Sequence, residues 1–373
     1  MIPENIDIRT TNSIREIVDC IDKNIYGDAP LELVSFYDSL PNNQLNDYLR
    51  VLSVPYLFHA FEENLNSNQN AIEWFVATLL KLKASINELH KSNSFIHMLS
   101  TSFEQQAVEI FANEVKSHTG QHYGNLFKDF DHKSYFNEAK NLLQTRLERN
   151  NIVIPNIENL KLLDQGCGGG RYTTAWKLLG VKEAIGLDFS EIGLIDAKNR
   201  VLVAGLNDIS FVHGSVLKMP FENETFDIVY SNGVLHHTED WKKGIEEQFR
   251  VMKKGGWGWQ YLIENPGGIF WDKIEILRAI LKDVNKEFAQ KILKSLGIPN
   301  NRVFYMLDHV MVPINTRITS EELENELKKN GAINIKRLDR GVDFDRVEAI
   351  YKKIPFANEK FGVGENRYVF NKA

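Results

Sequence analysis

The run Lys161-Leu162-Leu163-Asp164-Gln165-Gly166-Cys167-Gly168-Gly169-Gly170 joins an apolar strand to an acid and then to a glycine-rich turn. Glycines let the backbone turn tightly and let a bulky ligand approach the main chain, and a helix starting near Arg171 would present free N–H groups to it. A pyrophosphate-binding turn reads G-x-G-x-x-G, whereas this one reads G-x-G-x-G with Asp164 just upstream. An acid there favours a cationic group such as an amino-acid ammonium and repels pyrophosphate. The chemistry indicated is the binding of an adenosyl cofactor.

A second apolar run, Glu183 to Asp188, ends in an acid 24 positions after Asp164. A carboxylate at the tip of a second strand can accept both ribose hydroxyls, which suits adenosine in either NAD or S-adenosylmethionine. Further strands are expected near 209–213, 226–230 and 257–263, beside 160–164 and 184–188. Right-handed crossovers would bring Asp164, Asp188, Ser215, Ser231 and Glu264 to one carboxyl edge.

The blocks LLDQGCGGG, GLDFS, FDIVYSNGVLHH and RVMKKGG stand here in order. In that order and spacing the chain resembles the class I S-adenosylmethionine-dependent methyltransferases, in particular the small-molecule group called methyltransferase type 11. The match is strong over about 100 residues, Leu160 to Leu262, and loose beyond. The resemblance implies an α/β fold, a doubly wound seven-stranded Rossmann-like methyltransferase sheet, with Ile333–Leu338 and Arg367–Phe370 as its last two antiparallel strands. It also implies S-adenosyl-L-methionine as cofactor, held by Asp164, Gly166, Cys167, Gly168 and Gly170 around the first turn and by Asp188 and Phe189 after the second strand. Ser215, Val216, Ser231 and Tyr123 complete the expected cofactor set. The family usually has an acid where Ser215 stands, and Lys254 replaces its usual proline before Gly255-Gly256.

Methyl transfer from a sulfonium is an in-line displacement to which positioning contributes most. A general base is needed mainly for a hydroxyl or a protonated amine. The candidates are His236 and His237 after the fourth strand, with His122 and His309 as rivals. Arg317, Arg340, Arg346 and Arg367 could hold an acceptor carboxylate or phosphate, although solvated surface charge is the plainer reading of each. Trp257 and Trp259 read as core.

No Asn/Asp-Pro-Pro-aromatic loop follows the fourth strand, no Pro-Cys nucleophile occurs, and the chain has two cysteines, Cys20 and Cys167. These features argue against amino methylation in nucleic acid, cytosine C5 chemistry, arsenic methylation, a disulfide framework and a cysteine metal site; no metal is expected. Of the residues, 43% are hydrophobic and 25% charged, and the net charge is −6, which argues against a broad nucleic-acid-binding surface. No apolar run approaches the roughly 18 residues of a membrane span, and the N-terminus is acidic; a cytoplasmic protein without membrane insertion is expected.

Three regions are expected. Residues 1–118 read as an all-helical N-terminal domain: Ile72, Phe75, Leu79, Leu80, Leu82, Ile86 and Leu89 trace one helical face, and no glycine or proline occurs from 56 to 119. Such a domain would serve as a lid or a homodimer interface. Residues 119–150 crowd aromatics ahead of an amphipathic helix, as a lid does in related methyltransferases. Residues 151–373 form the cofactor-binding domain, with an insertion at about 265–318 containing a helical stretch 270–296 and a mixed stretch 304–313. The function expected is methyl transfer to O, N or S of a small polar metabolite. A cell-surface sugar or glycolipid precursor and a non-catalytic cofactor-binding scaffold are the alternatives.

Overall fold

The computed structural model describes residues 21, 23–92 and 133–373. The chain divides into two compact units, each built from non-contiguous segments. One takes Ser117–Pro266, Ile314–Lys352 and Val363–Ala373; the other takes Met1–Lys116, Gly267–Pro313 and Lys353–Gly362.

The first unit is organised on a seven-stranded sheet. In chain order its strands are β1 (Lys161–Gln165), β2 (Glu183–Asp188), β3 (Ile209–His213), β4 (Phe226–Asn232), β5 (Met252–Leu262), β8 (Ala332–Arg337) and β9 (Asn366–Lys372); the short β6 (Glu264–Asn265) and β7 (Ile318–Thr319) pair separately. The spatial order is β3-β2-β1-β4-β5-β9-β8, parallel throughout except that β9 runs antiparallel to both β5 and β8. The reversal of strand order between β1 and β4 opens a crevice at the carboxyl ends of the strands.

Alternation along each strand supplies two cores. On one face Leu163, Val229 and Leu262 pack against Ile245 and Phe249 of the helix Trp241–Val251 and against Leu323 and Leu327 of the helix Ser320–Lys329. On the other, Leu162, Ile228, Tyr230 and Trp259 pack with Leu143 of the helix Ala139–Arg149 and with Ala175 and Trp176 of the helix Arg171–Leu178. Trp257 contacts the Trp176 ring edge-on at 5.8 Å, so both strand tryptophans are core. Each large apolar side chain buried in this way contributes roughly 1.5–3 kcal/mol. Thr319 caps the helix Ser320–Lys329 in a reciprocal capping box with Glu322.

The second unit is helical, with described helices Lys23–Tyr26, Ala29–Ser39, Gln44–Glu63, Ala71–Lys91, Gly268–Ile280, Lys286–Ser295, Asn300–Val310 and Ala357–Phe361. Residues 267–313, read from the sequence within an insertion of the sheet domain, cluster with the N-terminal helices. The expected helical stretch 270–296 is two helices, interrupted at 281–285. The stretch 304–313 is helical up to Val310 rather than mixed: Val303, Met306, Leu307 and Val310 are buried at i, i+3, i+4 and i+7, a helical stripe that the intervening polar residues obscured. Lys360 is buried here, and its ammonium donates to the carbonyls of Asn64, Leu65, Ser67 and Pro355.

Candidate functional site

The turn after β1 is fixed largely by β2. The N–H groups of Gly166 and Cys167 both donate to the Leu187 carbonyl, at 2.8 and 2.9 Å. The Gly168 N–H donates to Asp188 Oδ2 at 2.7 Å, and the Ser190 N–H donates to Oδ1 at 2.8 Å. Two glycines are required by shape. Gly166 has φ +82° and a Cβ there would run into Val234; Gly170 has φ +77° and a Cβ would run into Phe211 and Ala197.

Asp188 stands half-buried at the tip of β2, and desolvation lifts its carboxyl above the usual carboxylate range even though backbone N–H groups favour the charge. A carboxylate offers about four acceptor positions. The N–H groups of Gly168, Ser190 and Phe189 all bond the carboxylate, which leaves capacity for an incoming hydroxyl. The next residue, Phe189, presents its ring to solvent at 64% exposure, beside His213 at 5.6 Å. Beyond β3, Ser215 Oγ accepts from the Leu217 N–H at 3.2 Å, and the Val216 carbonyl accepts from Gln165 Nε2.

Asp164 is 2% exposed and accepts from the Thr173 hydroxyl at 2.6 Å. Burial pushes its carboxyl up to about 7, against the lowering effect of Thr173 and with a further push from Asp188. Cys167 Sγ lies 3.8 Å from the Gly168 carbonyl, and burial raises the thiol pKa well above its ordinary value, so it is not a thiolate nucleophile.

Ser231 is completely buried, on the sheet face covered by the helix Trp241–Val251, and its Oγ has no hydrogen-bond partner among the described residues. In the same row across the sheet stand the buried Gln165 and Gln260. The two histidines after β4 differ in chemistry. His236 is 2% exposed and its Nδ1 accepts from the Ile263 N–H at 3.2 Å, while its carbonyl accepts from Thr316 N–H. His237 Nδ1 lies 2.8 Å from the Ile314 carbonyl; since a carbonyl only accepts, Nδ1 carries the proton and the ring's lone pair is on Nε2. The pair thereby fastens residues 314–316, which lead into β7.

His309 lies in the helical unit, where Nδ1 lies 2.7 Å from the Tyr305 carbonyl and the ring packs on Trp271 and Tyr305. His122 and Tyr123 lie outside the described residues. Tyr135 and Phe136 of the expected aromatic segment are buried.

Surface charge does not describe Arg346 or Arg367. Arg346, partly buried, bridges the buried Glu264 Oε1 at 2.8 Å and the Tyr261 hydroxyl at 2.8 Å, and Arg367 shares Asp345 with Arg146, these three all buried. Arg340 pairs with Glu348. The signal that sequence reading missed was Asp345, whose carboxylate takes Arg146 through two bonds at 2.7 and 2.8 Å. Among the described residues no cluster of acids, histidines and cysteines suits a metal ion, and no helix is long and apolar enough to cross a membrane.

Residues 163–259 match the family model described as a methyltransferase domain. This part of the chain is a methyltransferase domain. Over 98 residues the chain is 38% identical to a demethylmenaquinone methyltransferase of Bacillus cytotoxicus, covering 26% of this chain and 41% of that protein. Over 101 residues it is 36% identical to the enzyme of the same name from Bacillus subtilis, covering 26% and 43%. The chain thus spans about two-fifths of the length of these curated relatives. Among solved structures, the YcgJ protein of Bacillus subtilis aligns with 63% of this chain and 98% of its own, at 16% identity and a TM-score of 0.41.

Proposed function

We propose that the sheet unit binds S-adenosylmethionine and directs its methyl group to O, N or S of a small polar acceptor. The observation that carries this reading is the Asp188 carboxylate, held at the tip of β2 by the Gly168 and Ser190 N–H groups with acceptor capacity to spare. Its acceptor capacity fits a ribose: the backbone N–H groups of Gly168, Phe189 and Ser190 aim the carboxylate, and a ribose hydroxyl completes it. The cofactor supplies an electrophilic methyl on a sulfonium. Phe189 covers an adenine face, Ser215 and Val216 border its edge, and the turn from Gly166 through Cys167 and Gly168 to Gly170 gives the main-chain approach. Asp164 balances the ammonium of the amino-acid end.

For the acceptor, His237 is the better base of the adjacent pair, because its Nδ1–H bond to the Ile314 carbonyl leaves Nε2 as the proton acceptor. His236 and Ser231 serve as packing and fastening groups in this scheme; His122, Tyr123 and His309 remain candidates on sequence grounds. The relatives named demethylmenaquinone methyltransferase favour a small-molecule acceptor.

Titration of the full chain with S-adenosylmethionine, followed by S-adenosylhomocysteine release from a panel of small hydroxyl, amine and thiol acceptors, tests the reading. Saturable binding with acceptor-dependent release supports it. Binding without release from any acceptor points to the scaffold alternative, and absence of binding overturns the reading.

A further inference from the structure

The glycine-rich turn has a tether that neither β2 nor the turn itself provides. The peptide groups from Gly166 to Gly168 are held by Leu187 and Asp188. The Gly169 carbonyl instead accepts from the hydroxyl of Tyr135 at 2.6 Å, 34 positions upstream. Gly169 precedes the N-cap Gly170, whose carbonyl takes the first helical bond from the Thr174 N–H at 3.0 Å, so the helix itself offers the Gly169 carbonyl no donor. Here the hydroxyl of Thr173 donates to Asp164 and its backbone N–H also faces that carboxylate, and Gly169 takes its donor from outside the turn.

Tyr135 is itself locked. It is completely buried in the single π-helical turn Lys133–Glu138, with its ring edge-on to Phe136 at 4.8 Å. The Arg200 guanidinium lies 4.7 Å from the ring centre and is oriented by Asp196 at 2.7 Å. A reciprocal link runs the other way: Arg171, the first residue of the helix after the turn, donates to the Ser134 carbonyl at 2.7 Å and pairs with Glu138 at 3.4 Å. π-turns are rare and occur frequently at functional sites.

We propose that Tyr135 is a positioning residue for the cofactor, acting through Gly169. Its hydroxyl sets the orientation of the last peptide of the turn before the helix, and the reciprocal Arg171 bond makes the upstream segment and the turn move together. The inference rests on the reading of this turn as the S-adenosylmethionine site. It predicts that the upstream segment, rather than the strands alone, sets cofactor affinity.

The variant Tyr135→Phe keeps the ring, its packing and the Arg200 contact while deleting the one donor. In the full chain, titration with S-adenosylhomocysteine is expected to show a loss of about tenfold in affinity, of the size of one lost hydrogen bond. With any acceptor that supports turnover, KM for S-adenosylmethionine should rise while KM for the acceptor stays within twofold. Arg171→Gln, which removes the reciprocal bond at a partly exposed position, should shift affinity in the same direction and guards against a misfolded Tyr135→Phe. A thermal midpoint lowered in both variants with S-adenosylhomocysteine affinity unchanged would mean that Tyr135 is core packing alone and overturns the proposal. If the wild-type chain itself binds no S-adenosylhomocysteine, the underlying cofactor reading fails, which is a result distinguishable from failure of the variants.

Discussion

Asp188 Oδ2 and the Gly168 N–H meet at 2.7 Å, so the tip of β2 and the turn after β1 are held by one charged hydrogen bond. Asp188→Ala therefore removes both a ribose acceptor and an anchor of the turn. Hydrogen bonds to a charged group are worth about 1.5–3 kcal/mol each. S-adenosylmethionine affinity is expected to fall by at least tenfold in titration while the far-ultraviolet circular dichroism stays unchanged. Unaltered affinity would remove Asp188 from the site.

Asp164 gives the free protein a pH signature. Burial raises its pKa from 3.8 to about 7, so between those values the native state keeps a proton that the unfolded chain has released. Stability should fall as pH rises through that window, by at most about 1.4 kcal/mol per pH unit. Denaturant midpoints measured from pH 4 to 8 should show this slope, and Asp164→Asn should flatten it. A cationic ligand favours the charged form, so binding of S-adenosylmethionine near pH 6 should release a proton, detectable by calorimetry in buffers of different ionisation enthalpy.

The two histidines should separate by kinetics and stability. His236→Ala leaves the buried Ile263 N–H without its acceptor and opens a cavity, a loss of about 2–4 kcal/mol in denaturant unfolding. His237→Gln should instead lower kcat by about 100-fold or more on a hydroxyl acceptor, with S-adenosylmethionine affinity preserved. Turnover unchanged in His237→Gln on such an acceptor would shift the base role to another residue.

Asp345 is shared by two buried arginines. Burial alone would raise its carboxyl, but Arg367 and Arg146, with the Val342 N–H, hold it well below the usual carboxylate range. Its contribution to stability is present above the ordinary carboxylate value and is lost as pH falls below about 4. Removing one partner of such a group costs about 3–5 kcal/mol. Asp345→Ala should unfold at correspondingly lower denaturant, and its stability should depend less on pH on the acid side than that of the wild type.

The parallel part of the sheet was legible because each strand carries its own local signal. Strands β1 to β4 are apolar runs bounded by glycine, serine or acid, and Asp164 and Asp188 lie where those runs end. The capping box at Thr319 and Glu322 was legible for the same reason. What escaped sequence reading depends on partners far along the chain. Nothing near Arg367 or Arg146 announces that both converge on Asp345, 22 and 199 positions away. Likewise, His236 and His237 read equally as bases until the carbonyl and amide beside each ring set their protonation. Tyr135 stood in an aromatic crowd, and its hydroxyl's target, Gly169, was invisible to any local pattern.

The interleaved division of the chain bears on how the protein is made. The turn at Asn64–Ser67 is closed by Lys360, 296 positions from Asn64, and the inner strand β9 consists of residues 366–372. Neither unit can reach its final packing while the chain is still being elongated through the methyltransferase blocks. Each unit completes its packing only after a segment beyond residue 352 has been made, and until then part of its apolar surface is exposed to chaperone capture and aggregation. A stop before Lys360 therefore leaves both units unfinished.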